Sequence, residues 1–127
     1  MNNRYTLTEE GHLFRLTAKR DIHVEKLGIT VMAGTRGGLV TSESTLSADG
    51  DCWVFDGAVV AVSLITGDAV VLPATTVIRG RLGGSTVVEG YSTIVDCNIW
   101  NSWVGPGCYL TGANLRGREV PANSIRV

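Results

Sequence analysis

Residues 52–82 read CWVFDGAVVAVSLITGDAVVLPATTVIRGRL. Within this stretch a small residue recurs, then any residue, then Val, Ile or Leu. The triplet continues to Leu115, and its twelve aliphatic members are Val54, Val60, Ile65, Val71, Val77, Leu82, Val87, Ile94, Ile99, Val104, Leu110 and Leu115. Two residues before each stands Cys52, Ala58, Ser63, Ala69, Thr75, Gly80, Ser85, Ser92, Cys97, Ser102, Cys108 or Ala113. Successive small positions are five to seven residues apart. A helix requires a period near 3.6, and a hairpin strand requires sustained alternation. Short strand, corner, short strand, corner is the pattern of a β-solenoid.

Two residues apart on a strand means one face, so small and aliphatic members both point into the bore. Grouped in threes, the spacings give coils of about 17 residues. The predicted columns are Val54-Val71-Val87-Val104, Val60-Val77-Ile94-Leu110 and Ile65-Leu82-Ile99-Leu115. Corners are expected at Asp56-Gly57, Gly67-Asp68, Gly84, Gly90, Asp96, Asn101, Gly105-Pro106-Gly107 and Gly112, which accept positive φ cheaply. The expected fold is all-β: a three-sided single-stranded β-helix. A four-sided pentapeptide helix is the structural alternative.

The chain is divided into an N-terminal β cap (residues 1–50), a solenoid of about four coils (51–117) and a C-terminal tail or closing strand (118–127). In the cap, Arg4–Thr8 and His12–Ala18 read as a hairpin about Glu9-Glu10-Gly11. A third strand is expected through Ile29–Met32, ending at Ala33–Gly38.

Composition narrows the function classes. The 127 residues carry a net charge of −1 with both signs interspersed, so no basic footprint for nucleic acid is present. No apolar run is long enough to span a bilayer, and Met1–Tyr5 does not open a signal peptide. The expected location is a virion or the cytoplasm. Three cysteines, without CxxC or Cys/His clustering, read as small buried hydrophobes, and neither metal nor cofactor is expected.

Residues flanking the aliphatic positions point outward. On the first two sides many are apolar, more than a soluble monomer normally shows. Trp53, Phe55, Val70, Leu72, Val88, Trp103, Ile78, Val95 and Tyr109 are therefore the candidate interface of a homotrimer. The third side is polar apart from Trp100. There Trp100, Arg81 and Arg116 are the candidate partner-binding residues.

The run Leu13–Asp21, then Gly37-Gly38-Leu39-Val40, Leu46-Ser47, Gly50–Val54 and Ala58 resembles bacterial and phage-borne β-helix proteins. Those proteins join an N-terminal cap to hexapeptide-like repeats and are often labelled putative transferases. The resemblance implies a left-handed coil and a frequent phage association, and carries no catalytic residue onto this chain. The repeats here are often five residues long, and Leu39 stands where an aromatic is common. Right-handed filament proteins of the bactofilin type share the three-sided pattern.

Acyl transfer on such a coil calls for a histidine base at a coenzyme A cleft. The only histidines are His12 and His23, both before the repeat. Ser85, Ser92 and Ser102 occupy inward slots, unsuited to nucleophiles. The expected function is hence non-catalytic: a trimeric β-solenoid that decorates or cements a larger assembly such as a phage virion, alongside other virion proteins. An inhibitor module that binds a protein or ligand, and a hexapeptide-repeat acyltransferase with a degenerate site, are the alternatives.

Overall fold

A computed structural model describes residues 4–47 and 50–126, apart from the side chains of Lys26 and Arg126. Met1–Asn3, the start of the segment read above for a leader, lie outside the described residues. The chain winds into a three-walled β-solenoid. The first wall stacks Trp53–Val54, Val70–Val71, Val87–Val88, Trp103–Val104 and Glu119–Val120. The second stacks Val59–Ala61, Thr76–Ile78, Thr93–Val95, Tyr109–Thr111 and Ile125–Arg126. The third stacks Leu64–Ile65, Arg81–Gly83, Asn98–Trp100 and Asn114–Arg116. All pairings within these walls are parallel. Three walls rule out the four-sided alternative.

The second and third columns fall as the repeat predicts, with Val77 paired to Ile94 and Leu82 to Ile99. The first differs at one coil. Val88, rather than Val87, stands in line with Val71 and Val104. Its small partner is Thr86, not Ser85. The Thr86 hydroxyl is fully buried, donates to the Gly83 carbonyl at 2.7 Å, and accepts from the Ser102 amide at 3.4 Å. Neighbouring coils use the same device: Ser92 Oγ accepts from the Cys108 amide and Ser102 Oγ from the Arg118 amide, both at 3.1 Å. The small slot thus satisfies an inward amide as well as making room. With this frame the lone seven-residue step disappears.

Left-handed backbone marks each corner. Gly57, Ala74, Tyr91, Gly107 and Asn123 stack at the first corner, Val62, Arg79, Asp96 and Gly112 at the second, and Gly67, Gly84, Asn101 and Gly117 at the third, all with positive φ. Val62 is the costly member. It is β-branched at φ 49°, 68% exposed, and held by its amide donating to Thr41 Oγ1 at 2.6 Å. A left-handed conformation costs an ordinary L-residue roughly 1–2 kcal/mol, and Asn tolerates it best apart from Gly. Val62→Asn should raise stability by about 1 kcal/mol, read as a higher midpoint in thermal melting. A lower midpoint would mean that the valine side chain stabilises the corner after all.

The N-terminal segment forms β1 (Tyr5–Glu10), β2 (Leu13–Ala18), β3 (Ile22–Val24), β4 (Ile29–Val31) and β5 (Arg36–Val40). The expected hairpin is β1–β2. The expected third strand, β4, pairs instead with β3 as a separate small hairpin. The strand that joins β2 is β5, which begins inside Ala33–Gly38, the stretch where the third strand was expected to end. It also pairs parallel with the second wall, placing Val40 beside Val60, while Leu46 bridges to Ile65. The winding path therefore starts before Cys52, and Glu119–Val120 and Ile125–Arg126 carry it past residue 117.

Buried polar residues close the N-terminal end of the bore. Arg4 is buried and donates to the carbonyls of Ser47 and Cys52 and to Cys52 Sγ. The Tyr5 hydroxyl donates to the carbonyls of Leu46 and Glu43. Burial, reinforced by the Glu43 charge, pushes the Tyr5 phenol up to about 12. Together the two side chains bond the carbonyls of Glu43, Leu46, Ser47 and Cys52.

Candidate functional site

The third wall positions the site. Leu82, Ile99 and Leu115 point into the bore, so the residues on either side of each must point out. One outward column is Arg81, Asn98 and Asn114, and the next is Gly83, Trp100 and Arg116. Arg118 follows around the corner. All of these but Gly83, together with Leu115, line an open groove of about 640 Å³.

Gly83 is what lets Trp100 lie down. A Cβ at Gly83 would sit 2.6 Å and 2.7 Å from indole carbons Cζ3 and Cη2, and 2.9 Å from Thr66 Oγ1. The benzene half of the indole therefore rests on bare backbone. The side chain remains 39% exposed, an aromatic platform open to solvent.

The groove is cationic. Arg81, Arg116 and Arg118 contribute three positive charges, and no carboxylate lines it, although the chain as a whole carries −1. Three arginines elsewhere are paired: Arg15 with Glu10 and Asp56 at 2.8 and 2.9 Å, Arg36 with Asp56 at 3.8 Å, and Arg79 with Asp96 at 2.7 Å. Asp96, just before Cys97-Asn98, is thereby committed; its hydrogen bond to Arg79 holds the carboxyl below its ordinary range. Among the described residues the three groove arginines form no ion pair, and the side-chain amides of Asn98 and Asn114 form no hydrogen bond.

The structure thus brings Trp100, Arg81 and Arg116 to one surface. Asn98, Asn114 and Arg118 join them there. The two asparagines could have been found by stepping one coil from Arg81; Arg118 lies past a corner, where the outward alternation stops guiding.

The apolar set distributes differently. Trp53, Val70 and Val88 are buried within the single chain, so they are not a bare flank. Val88 is inside because the frame shifts at Thr86. Trp53 points outward but lies against Gly37 of β5. Phe55 and Leu72 are partly buried against the core. Trp103 is half-buried, its Nε1 donating to Glu89 Oε2 at 2.9 Å. On the second wall Ile78 and Val95 are half-buried and Tyr109 is 44% exposed.

The histidines, buried thiols and inward hydroxyls are absent from the residues that line the groove. His12 is exposed in the β1–β2 turn, and His23 is exposed on β3, 3.5 Å from Thr30 Oγ1. Cys52, Cys97 and Cys108 are buried free thiols. Burial pushes the Cys52 and Cys97 thiols up, away from the reactive thiolate. Ser92 and Ser102 spend their hydroxyls on the carbonyls of Gly105 and Trp100. No cluster of three or more metal-ligating side chains occurs among the described residues. What the groove can do is bind and orient a negatively charged ligand with a flat face.

No protein-family profile matches the chain. It is 31% identical over 114 aligned positions to the protein called "Uncharacterized acetyltransferase YdcK" of Escherichia coli (strain K12). The match covers 82% of this chain and 32% of that protein, so the chain spans about a third of the relative's length. Kinship with a protein named for acetyl transfer overturns the expectation of a non-catalytic part that decorates or cements a virion, and with it the reading that the chain is no enzyme. The phage association implied by the resemblance gains no support. What stands is a β-solenoid similar, over most of its length, to a segment of a protein named as an acetyltransferase.

Proposed function

We propose that this chain is the β-solenoid of an acetyl-transferring enzyme and that the groove beside Trp100 is its substrate surface. The observation that carries this reading is the 31% identity to an acetyltransferase across most of the chain. In acetyl transfer from a thioester, an acceptor oxygen or nitrogen attacks the carbonyl carbon, the C–S bond breaks, and the acceptor's proton leaves as the thiol is released. The residues described above contribute binding and orientation to such a reaction. The arginines hold negative charge and the indole fixes a flat group, which lowers the entropy cost of bringing reactants together.

Acetyl-coenzyme A is the donor to test. Millimolar donor should raise the melting temperature by several degrees, because a ligand that binds only the folded state stabilises it by mass action. Acetylated product, detected by mass spectrometry over a panel of hydroxyl and amine acceptors, should fall on Arg81→Ala and Arg116→Ala. No thermal shift together with no acetylated acceptor would sink the reading.

The same enzyme is proposed to work as a homotrimer. Supporting this are Tyr109 at 44% and Ile125 at 76% exposure on the second wall, beside half-buried Ile78 and Val95. Light scattering should give three times the 13.5 kDa chain mass. A monomer at micromolar concentration would remove the trimer and leave the transfer reading intact.

A further inference from the structure

We infer that the third-wall groove is a binding site for an acidic saccharide, a sugar bearing a carboxylate or a phosphate. The inference rests on the groove being the ligand surface proposed above and names the class of molecule it takes. Three features converge. The first is the platform: Trp100 lies on the bare backbone of Gly83 with the rest of its indole open. Such a surface packs against the apolar C–H face of a sugar ring, and the lack of a Cβ at Gly83 is what keeps it flat.

The second is the pair of carboxamides. Asn98 and Asn114 are direct partners on adjacent strands and so stand about 4.8 Å apart on one outward column. Neither side chain bonds to a described residue. A carboxamide donates and accepts at once, as a hydroxyl does, so two in line suit a ligand with successive hydroxyls. The third is charge. Arg81, Arg116 and Arg118 surround the platform without a carboxylate among the lining residues, and the guanidinium fork matches a carboxylate or phosphate. A nucleotide would use the arginines and the indole but has little need of the two amides. A polynucleotide would need a basic stripe beyond the groove, which a chain of net charge −1 lacks.

The test is binding by the full chain without acetyl donor, so failure of acetyl transfer cannot mask it. Trp100 is the exposed tryptophan, whereas Trp53 is buried and Trp103 half-buried, so tryptophan emission reports on the groove. Trigalacturonic acid and glucose 6-phosphate serve as carboxylated and phosphorylated probes, maltotriose as the neutral one and ADP as the nucleotide. The expected result is a saturable emission change with an acidic sugar and affinity at least about tenfold weaker for maltotriose and ADP. By calorimetry, Trp100→Ala and the double variant Arg81→Gln/Arg116→Gln should each weaken binding at least about tenfold, whereas Trp100→Phe keeps a platform and most of the affinity. Arg79→Gln, outside the groove, should bind as the parent does. The relative affinity of the two acidic probes identifies the anion. Equal binding of maltotriose, tighter binding of ADP, or no binding of either acidic sugar overturns the proposal.

Discussion

Trp53→Ala should destabilise the protein by about 3–5 kcal/mol, the usual cost of truncating a large buried aromatic. Trp53 is 0% exposed although it sits on the outward side of the first wall. It fills the junction between the N-terminal strands and the coil, with Gly37 against its ring and Leu16 next to that glycine. Removing it leaves a cavity beside β5, which pairs antiparallel with β2 and parallel with the second wall. Domain stabilities are about 5–15 kcal/mol, so the loss is a large share of the total. Urea unfolding followed by circular dichroism gives the value. Trp100→Ala is the internal control: with 39% of its surface already exposed, it should lose clearly less than Trp53→Ala. Similar small losses for both variants would show that the junction does not depend on the Trp53 indole.

The second large effect is Gly38→Ala. A methyl group there would lie 2.6 Å from the Ala58 carbonyl oxygen, 2.6 Å from Val54 Cγ1 and 2.7 Å from the Phe55 carbonyl oxygen. Two of these atoms are backbone of the first full coil and cannot turn aside. The adjacent Leu39 amide donates to that same Ala58 oxygen at 3.0 Å, so β5 must shift and release its pairing. A loss of at least about 3 kcal/mol is expected, beyond ordinary overpacking. Gly112→Ala separates this clash from backbone strain. Gly112 has φ 61° but nothing within 4 Å of a Cβ, so it should lose only about 1–2 kcal/mol. Equal losses at both sites would refute a steric cause at Gly38.

The coil was readable because its bore repeats one chemical demand at a fixed interval. It was misread at residues 85–88, where Ser85 and Thr86 are both small and Val87 and Val88 both aliphatic. Local pattern cannot choose between these frames. The hydroxyl of Thr86 chooses, and its partners Gly83 and Ser102 include one on the next coil. Corners were legible where Gly, Asp or Asn marks them, and hidden at Val62, Ala74, Arg79 and Tyr91, whose side chains do not advertise positive φ. At Gly37-Gly38 the glycines serve close approach, so a strand begins where the sequence suggested that one ends.

The same distinction governs the surfaces. Trp100, Arg81 and Arg116 could be placed outward because alternation about Leu82, Ile99 and Leu115 fixes their direction. That Gly83 makes room for the indole was not legible, since only the folded rotamer of Trp100 shows it. The apolar exterior of the first wall was read as demanding a partner subunit, yet Trp53 is covered from within the chain. The acetyltransferase reading was weakest in sequence because neither histidine lies in the repeat, and it took kinship with a longer protein to raise it.

Successive coils of a wall pair residues 17 apart, as Val59 with Thr76, or 16 apart, as Thr93 with Tyr109. Inheritance can therefore edit this molecule in whole storeys. Duplicating one turn inserts a floor whose ceiling and footing already match, and it lengthens the groove by one more rung. A single codon is absorbed at a corner, as the change from 17 to 16 residues shows, whereas inside a strand it turns the following side chains to the wrong face. Such a chain evolves its reach in steps, and the size of the step is set by the circumference of the coil rather than by the ligand.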